Sequence, residues 1–353
     1  MQCAFQFIKL TGTPFERGKT YGAAAKKEIG ISLGLYAKLF KGYANLSWDG
    51  AKEKALKFEK TIQEYFPEAL DEMKGIAEGS GRSYEDILAL NCRSELMFAL
   101  PDGCTTLALL PEAAKGKTII AQTWDWLMEC RPANVILEIH QDPLPTILTV
   151  SEAGMVGGKG LNSNGIGVCL NAMSVGRGQI GVPLHLMYRG ILNSRTITDA
   201  LDRICEVKRA GAGTFTIGSA AGVVLSFEYT PDNFDVLMSE GEPLCHTNHY
   251  LSPLFKGEDK LKGSVADTHI RYNMLRRLTK QYKDGMEIQD VWTVFSNHVN
   301  YPDSICSHED PANPETTRFC TVYATLMDLD NRALWVTSGC PCEGPAYPFY
   351  LLP

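Results

Sequence analysis

No stretch of this sequence reaches the roughly 18 consecutive apolar residues of a transmembrane helix, so we expect no membrane span. Basic residues are also few, because 34 Lys and Arg against 41 Asp and Glu give a net charge of −7, which disfavours binding to nucleic acid. The N-terminus lacks the charged and then apolar order of a secretory signal, and the C-terminus forms neither a peroxisomal address nor a lipidation motif. We therefore expect a cytoplasmic protein that binds neither membranes nor nucleic acid.

Cysteine pairs with the usual zinc-binding spacing are also missing. The 11 cysteines are odd in number and scattered, which is typical of thiols in a reducing compartment. One residue separates Cys340 from Cys342, whereas zinc-binding pairs usually have at least two. We therefore expect no metal site and no cofactor. A zinc-stapled binding module stays open as an alternative, with candidate ligands Cys306, His308, Cys320, Cys340 and Cys342.

The composition is that of a globular protein, with 44% hydrophobic and 21% charged residues among 353, enough for a sizeable core. The first hundred or so residues indicate helices, because Thr13, Pro14 and Glu16 form a capping box and Ser83 can cap a later helix. From Thr105 onward, short β-type runs separated by turn residues predict strands, and their short links favour antiparallel pairing. We predict an α+β fold of four layers, with two stacked antiparallel sheets and helices outside.

A cysteine stands where the helical part meets the strand-rich part. Cys104 follows Gly103, whose missing side chain permits backbone conformations closed to other residues. The thiol can attack the Gly103 carbonyl, and water can then release the acyl group from sulfur. Cys104 would become a new N-terminus, whose α-amine is a base for the thiol. A buried strand cysteine without a chemical role is the alternative interpretation.

Three further polar residues are candidates for chemistry. Asp125 lies between two tryptophans at the end of an apolar run, where a buried carboxylate needs a cationic partner such as an α-ammonium group. Asn248 follows another β-type run, and its amide can donate to an oxyanion. Arg318 precedes an apolar strand and can pair with a substrate carboxylate. Each residue also has a purely structural alternative: Asp125 can cap a turn, Asn248 can hydrogen-bond within its loop, and Arg318 can form a surface ion pair.

Several motifs follow one another along nearly the whole chain. The central ones are Asp102-Gly103-Cys104-Thr105-Thr106 and Trp124-Asp125. The others occupy residues 12–18, 75–79, 91–95, 152–154, 160–163, 171–172, 246–249, 300–302 and 304–306. With this series the chain resembles the acyl-coenzyme A:6-aminopenicillanic acid acyltransferase family of N-terminal-nucleophile hydrolases. The resemblance implies an αββα fold with a segment 1–103 released by self-cleavage and a catalytic segment 104–353, which together form one compact domain.

The resemblance also implies roles for individual residues. Cys104 is expected to be both the self-cleaving residue and the mature nucleophile, with Asp125 orienting it. Asn248 matches an oxyanion-hole asparagine, and Arg318 matches an arginine near the site. The expected substrate-binding residues are Thr105, Trp124, Asn171 and Thr247.

We therefore expect a self-cleaving amidohydrolase or acyltransferase that forms an acyl intermediate on Cys104. Its expected substrate is a small-molecule acyl amide or an acyl-coenzyme A thioester. The two fragments of its own chain are expected to associate with each other, and whether the protein also forms a homo-oligomer stays open. The resemblance is incomplete, because Thr230 and Thr317 stand where the family has two serines near its site, and Ser307 stands where the family has a basic residue. The identities of the acyl group and of the acceptor therefore stay open. A Cys-His peptidase that uses His246 or His249 without self-cleavage is the competing enzyme.

Overall fold

The computed structural model describes residues 3–97, 103–260 and 266–351. Its β-strands are β1 (Gln6–Leu10), β2 (Gly103–Leu109), β3 (Ile119–Leu127), β4 (Asn134–Ile139), β5 (Ile147–Glu152), β6 (Lys159–Asn162), β7 (Ile166–Ala172), β8 (Gly213–Ser219), β9 (Val223–Tyr229), β10 (Phe234–Met238), β11 (Leu244–His246), β12 (Phe319–Asp328), β13 (Ala333–Thr337) and β14 (Ala346–Tyr350). Its α-helices are α1 (Pro14–Ala24), α2 (Lys26–Ala44), α3 (Trp48–Ala55), α4 (Glu59–Tyr65), α5 (Pro67–Ser80), α6 (Tyr84–Asn91), α7 (Arg93–Met97), α8 (Leu184–Leu192), α9 (Ile197–Cys205), α10 (Asp267–Thr279) and α11 (Ile288–Phe295).

The strands form two sheets that pack face to face. One sheet has eight strands in the order β1-β4-β5-β6-β7-β8-β9-β10, and the other has six in the order β11-β2-β3-β12-β13-β14. Contacts of β2 and β3 with β7 and β8 join the two sheets. Helices α1, α2, α8 and α9 lie against the larger sheet, and α10 lies against β2 and β11 of the smaller one. The predicted four-layer α+β architecture is therefore confirmed.

Over residues 3–97, the part of the chain before Gly103 that the structure describes, the elements are helices apart from one strand that the sequence analysis did not predict. Strand β1 pairs in parallel with β4, from Gln6 opposite Val135 to Leu10 opposite Ile139. The eight-stranded sheet is therefore antiparallel except at this edge. Because β1 comes from the first segment and β4 from the second, the two segments share one sheet.

Two helix starts agree with their sequence signals. Thr13 and Glu16 form the predicted capping box at α1, and Ser83 with Asp86 forms another at α6. The helical region that begins at Pro14 is divided into α1 and α2 at Ala25. A capping residue determines where a helix begins, but helix continuity depends on the packing that the helix finds.

Glycines allow α1 and α5 to pack in close contact. A Cβ atom on Gly18 would lie 2.0 Å from the carbonyl oxygen of Glu72, and one on Gly75 would lie 2.1 Å from that of Phe15. Real side chains do not approach a backbone this closely, so these positions exclude larger residues. Gly18 and Gly75 thus allow the two helices to pack closely.

A buried ion-pair cluster also ties the first segment to the second. Glu72 of α5 accepts hydrogen bonds from Arg189 of α8 at 2.7 and 3.1 Å, and Arg17 of α1 lies 3.5 Å away. All three side chains are buried. Over the described residues, no helix is both long and apolar enough to cross a membrane.

Candidate active site

Cys104 is the second residue of β2 and lies inside the protein, with 1% of its surface exposed. Its strand neighbour in β3 is Trp124, and Gly103 stands opposite Asp125. A Cβ atom on Gly103 would lie 2.8 Å from Oδ2 of Asp125. Glycine is therefore required next to Cys104 because the Asp125 carboxylate occupies the space where a side chain would be.

Hydrogen bonds hold the backbone of Cys104 on both sides. Its N–H donates to Oδ1 of Asn248 at 2.9 Å. Its carbonyl oxygen accepts from Nδ2 of Asn171 at 3.1 Å and from Nη1 of Arg271 at 2.8 Å. The main chain of the candidate nucleophile is thus fixed by three buried polar side chains.

Arg271 of α10 is a site residue that the sequence analysis missed. Besides Cys104, it donates to Oγ1 of Thr105 at 3.0 Å and to Oδ1 of Asn248 at 3.1 Å. Burial alone would lower the pKa of Arg271, but the carboxylates of Asp267 and Asp125 raise it above its usual value. The available sequence signal was the spacing of Asp267 and Arg271, four residues apart on one helix, where opposite charges pair.

Asp125 is buried at the end of β3. Its Oδ1 accepts a hydrogen bond of 2.6 Å from Oγ1 of Thr321 in β12, the residue directly opposite it. The same Thr321 hydroxyl accepts the N–H of Ser307 at 3.0 Å. The carboxylate beside Gly103 is thus oriented from the neighbouring strand.

A cavity that encloses about 1020 Å³, including its open mouth, reaches Cys104 and is lined by strands of both sheets and by helices α7 and α8. Trp124, Tyr188, Leu170 and Met173 contribute to an aromatic and apolar wall. Such a wall with a few polar groups is typical of a small-molecule site. The acidic and basic residues of the lining are Arg93, Glu95, Glu152, Lys159, Arg177 and His185.

Some buried polar atoms of this lining have no hydrogen-bond partner among the described residues. They include Oε2 of Glu95, Nε2 of His185 and Nε1 of Trp126. Burial raises the pKa of Glu95 to about 7 and lowers that of His185 to about 3. Because Nδ1 of His185 contacts the carbonyl of Gly157 at 2.9 Å, its Nε2 is left as an acceptor. The cavity therefore offers an acceptor, an indole donor and a carboxyl group to a ligand.

Lys159 brings a positive charge to the same wall. Its ammonium group lies 4.5 Å from the ring centre of Trp124 and donates to the hydroxyl of Tyr323 at 3.3 Å. Glu152, further along the wall, forms an ion pair of 2.8 Å with Arg93 and accepts from Tyr36 at 2.6 Å. Lys159, Glu152 and Arg93 are thus held in place by aromatic and ionic contacts.

The other predicted site residues occupy different surroundings. Thr105 and Thr247 are fully buried and do not line the cavity, and the hydroxyl of Thr247 donates to the carbonyl of Thr268 at 3.1 Å. Trp124 lines the cavity. Asn171 donates a hydrogen bond to the carbonyl oxygen of Cys104. Arg318 donates to the carbonyls of Pro311 and Asn313 in its own loop.

The two histidines of the competing Cys-His mechanism are engaged elsewhere. His246 contacts Oε1 of Glu228 through Nε2 and the carbonyl of Thr247 through Nδ1, both at 2.7 Å. His249 contacts the hydroxyls of Thr247 and Thr268, and burial lowers its pKa to about 3. Nothing in these contacts favours a catalytic pair with Cys104.

Comparisons with known proteins agree with the motif series. The model of a family described as acyl-coenzyme A:6-aminopenicillanic acid acyl-transferase matches residues 112–343. The 40 kDa form of acyl-coenzyme A:6-aminopenicillanic-acid-acyltransferase from Emericella nidulans is 29% identical over 341 residues, which cover 95% of this chain and 92% of that protein. Among solved structures, a variant of conjugated bile acid hydrolase from Clostridium perfringens has a TM-score of 0.49 and 13% identity, and the match covers 70% of this chain and 97% of that one. An N-acylethanolamine-hydrolyzing acid amidase ortholog from Caenorhabditis elegans has a TM-score of 0.45 and 16% identity, with 64% and 93% covered.

Proposed function

The chain belongs to the acyl-coenzyme A:6-aminopenicillanic acid acyl-transferase family, and on this basis we propose that it transfers or hydrolyses acyl groups with Cys104 as its nucleophile. The observation that carries the proposal is the position of Cys104. Its backbone is hydrogen-bonded to Asn248, Asn171 and Arg271, while the residue borders a cavity large enough for a small acyl substrate. A structural cysteine of the core needs neither feature.

Self-cleavage activates the nucleophile in this proposal. The Cys104 sulfur attacks the Gly103 carbonyl carbon, the peptide C–N bond breaks, and the thiol proton passes to the Cys104 nitrogen. Water then hydrolyses the thioester, which leaves a carboxylate on Gly103 and a free thiol and amine on Cys104. The freed α-amine becomes the base that accepts the thiol proton in each later turnover.

The residues around Cys104 support both steps. Oδ1 of Asn248 already faces the Cys104 nitrogen, so it can accept from the α-amine after cleavage. The Nδ2 group of Asn248 donates to the carbonyl of Ala172 at 3.1 Å and has a second hydrogen available for an oxyanion. Asp125, packed against Gly103, balances the charge of the protonated amine. Arg271 positions Cys104 by its carbonyl.

In turnover, Cys104 attacks the carbonyl carbon of an acyl amide or acyl thioester, and the amine or thiol leaves with the proton held by the α-amine. Water or an acceptor amine then attacks the acyl-Cys104 thioester and regenerates the thiol. Dividing the reaction in this way replaces one difficult step by two easier ones. No cofactor is needed for this sequence.

The cavity favours acyl groups that combine an apolar body with a polar end. Leu170 and Met173 can contact the body, and Lys159 offers its positive charge beside Trp124. The unpartnered atoms of Glu95 and His185 supply further polar contacts. We expect carboxylate-bearing acyl groups to be preferred over neutral ones of equal length, because a buried cation binds a carboxylate strongly.

The intact mass of the purified protein tests self-cleavage. Scaled by residue number from 38.9 kDa, fragments 1–103 and 104–353 have masses of about 11 and about 28 kDa. Wild type is expected to give both fragments under denaturing conditions, and Cys104→Ala only the full chain. Cys205→Ala on α9 is the matched control and should split as wild type does. A wild-type chain that stays whole, or a Cys104→Ala chain that splits, contradicts the proposal.

A second experiment separates acyl transfer from hydrolysis. Cleaved enzyme is given p-nitroanilides with a neutral and a carboxylate-bearing acyl group, with and without hydroxylamine as acceptor. Hydroxamate formation without a change in p-nitroaniline release indicates a common acyl-enzyme that the acceptor intercepts. Equal kcat/KM for the two anilides would contradict the proposed preference without affecting the assignment of the nucleophile.

A further inference from the structure

Two histidines and two cysteines meet in the loops around β12 and β13, apart from the residues that contact Cys104. His298, Cys306 and His308 lie between α11 and β12, and Cys342 lies between β13 and β14. One ring nitrogen or sulfur atom of each lies within 4.8 Å of all the others. Cys306 is buried, whereas His298 and Cys342 are exposed, so an ion from solution can reach the cluster.

Four distances between the donor atoms of this cluster are 3.1 to 3.6 Å. The sulfur atoms of Cys306 and Cys342 are 3.5 Å apart. Nε2 of His308 is 3.6 Å from the Cys306 sulfur and 3.5 Å from the Cys342 sulfur. Nε2 of His298 is 3.1 Å from Nε2 of His308.

These distances match the edges of a tetrahedron around zinc. With Zn–S of about 2.3 Å and Zn–N of about 2.05 Å, the ligand atoms are separated by about 3.8 Å for two sulfurs, about 3.6 Å for sulfur and nitrogen, and about 3.3 Å for two nitrogens. Each measured distance lies within about 0.3 Å of the corresponding edge. We propose that His298, Cys306, His308 and Cys342 bind one zinc ion.

The chemistry of the four donors supports this ion. Tetrahedral sites with two sulfur and two nitrogen ligands are typical of zinc, whereas carboxylate and carbonyl ligands suit magnesium or calcium. Two thiolates neutralise the charge of the ion. Metal-bound histidines usually have a carboxylate or carbonyl near the second ring nitrogen, and Oε1 of Glu343 lies 3.8 Å from Nδ1 of His308.

The proposed site has four protein ligands and leaves no open position, so its role is structural rather than catalytic. The ion would join the segment after α11 to the loop after β13. Ser307, between two of the ligands, exchanges hydrogen bonds of 3.0 Å with Thr321 through its carbonyl and its N–H. Binding of zinc would thereby hold this segment against β12.

Full-length protein, expressed with added zinc and dialysed, is analysed for metal by mass spectrometry. We expect about one zinc per chain in wild type. His298→Ala changes an exposed ligand and should leave the fold intact, and Cys342→Ser removes an exposed thiol. Each should weaken zinc affinity by at least about 100-fold in a competition with a chromophoric chelator. Cys205→Ser and His140→Ala, which change residues outside the cluster, are the matched controls and should keep full zinc content.

Replacement by cobalt gives a readout that is independent of the variants. Wild type with one Co²⁺ should show the intense visible bands of tetrahedral cobalt and a sulfur-to-metal charge-transfer band. Less than about 0.1 zinc per chain in wild type overturns the proposal. A Cys306–Cys342 disulfide in protein purified with reductant, or unchanged zinc affinity in both ligand variants, overturns it equally.

Discussion

The hydroxyl of Thr321 donates a 2.6 Å hydrogen bond to Oδ1 of Asp125 and accepts the N–H of Ser307. One side chain of β12 thus connects the carboxylate beside the Gly103–Cys104 bond, the proposed cleavage site, with the loop that carries the proposed zinc ligands. The orientation of Asp125 should therefore depend on Thr321, and the position of Thr321 on the loop.

Replacement of Thr321 by valine should slow self-cleavage by about 10- to 100-fold, because a hydrogen bond to a charged group contributes about 1.5–3 kcal/mol. The appearance of the 28 kDa fragment over time measures the rate. Thr325→Val is the matched control, since Oγ1 of Thr325 on the same strand is buried without a partner among the described residues. Equal slowing in both variants would mean that β12 packing, rather than the Asp125 hydrogen bond, is responsible.

Zinc removal should slow self-cleavage through the same connection. After treatment with a chelator, wild type should cleave several-fold more slowly, and zinc rather than magnesium should restore the rate. In Thr321→Val the chelator should have little further effect, because the hydrogen bond that transmits the change is already missing. An equal chelator effect in both proteins would show that zinc does not act through Thr321.

Asn248→Asp should affect the two reactions differently. The carboxylate keeps an oxygen for the Cys104 nitrogen but removes the NH₂ donor. We expect self-cleavage within about tenfold of wild type and substrate turnover at least about 100-fold lower, the usual cost of losing an oxyanion donor. Asn273→Asp, on the exposed side of α10, is the charge control and should leave both rates unchanged. Unchanged turnover in Asn248→Asp would remove Asn248 from the oxyanion hole.

Comparison of Arg271→Lys with Arg318→Lys tests which arginine serves the site. Lysine keeps the charge but cannot reproduce the fork that joins Cys104, Thr105 and Asn248. We expect turnover to fall by about 100-fold in Arg271→Lys and by less than about threefold in Arg318→Lys, since Arg318 contacts only carbonyls of its own loop by the hydrogen bonds described. The reverse ranking would support the role that the family resemblance implies for Arg318.

Glu95 should make folding stability depend on pH. Its pKa is raised from 4.5 to about 7 by burial, so the folded protein binds a proton that the unfolded chain releases between these values. This contribution is fully present below about pH 4.5 and is lost as pH rises through 7, for a total of about 3 kcal/mol. Chemical denaturation of Cys104→Ala, with and without Glu95→Gln, at pH 5 and pH 8 measures it.

The glutamine variant should gain stability relative to its parent on going to pH 8, since the amide oxygen can still accept from the N–H of Leu184, as Glu95 does at 2.8 Å. Glu112→Gln, at an exposed position, serves as the control and should follow the parent at both pH values. A constant difference between Glu95→Gln and its parent at the two pH values would contradict the raised pKa.

Local sequence signals predicted the elements that depend on neighbouring residues. The capping boxes at Thr13 and Ser83 determine the starts of α1 and α6. Strand β1 was missed because its parallel partner β4 lies more than a hundred residues away, and its pairing depends on the tertiary fold.

The site also contains residues that sequence motifs predict and residues that only the tertiary fold brings together. Gly103, Cys104 and Asp125 belong to motifs, and their juxtaposition across β2 and β3 follows from the hairpin. Arg271 reaches Cys104 from a polar helix without a motif, and only the packing of α10 shows it. The proposed zinc cluster includes His298 and omits Cys320 and Cys340, because sheet geometry rather than sequence spacing determines which side chains meet.

The parallel pairing of β1 with β4 bears on what self-cleavage would produce. A cut before Cys104 would convert one polypeptide into two that share a continuous sheet. The product would be a heterodimer whose two chains had already folded together as one polypeptide. Such subunits never need to find each other by diffusion. If the short subunit were synthesised separately, however, the long one would present the bare edge of β4 to other chains, and co-expressed fragments should aggregate where the self-cut protein does not.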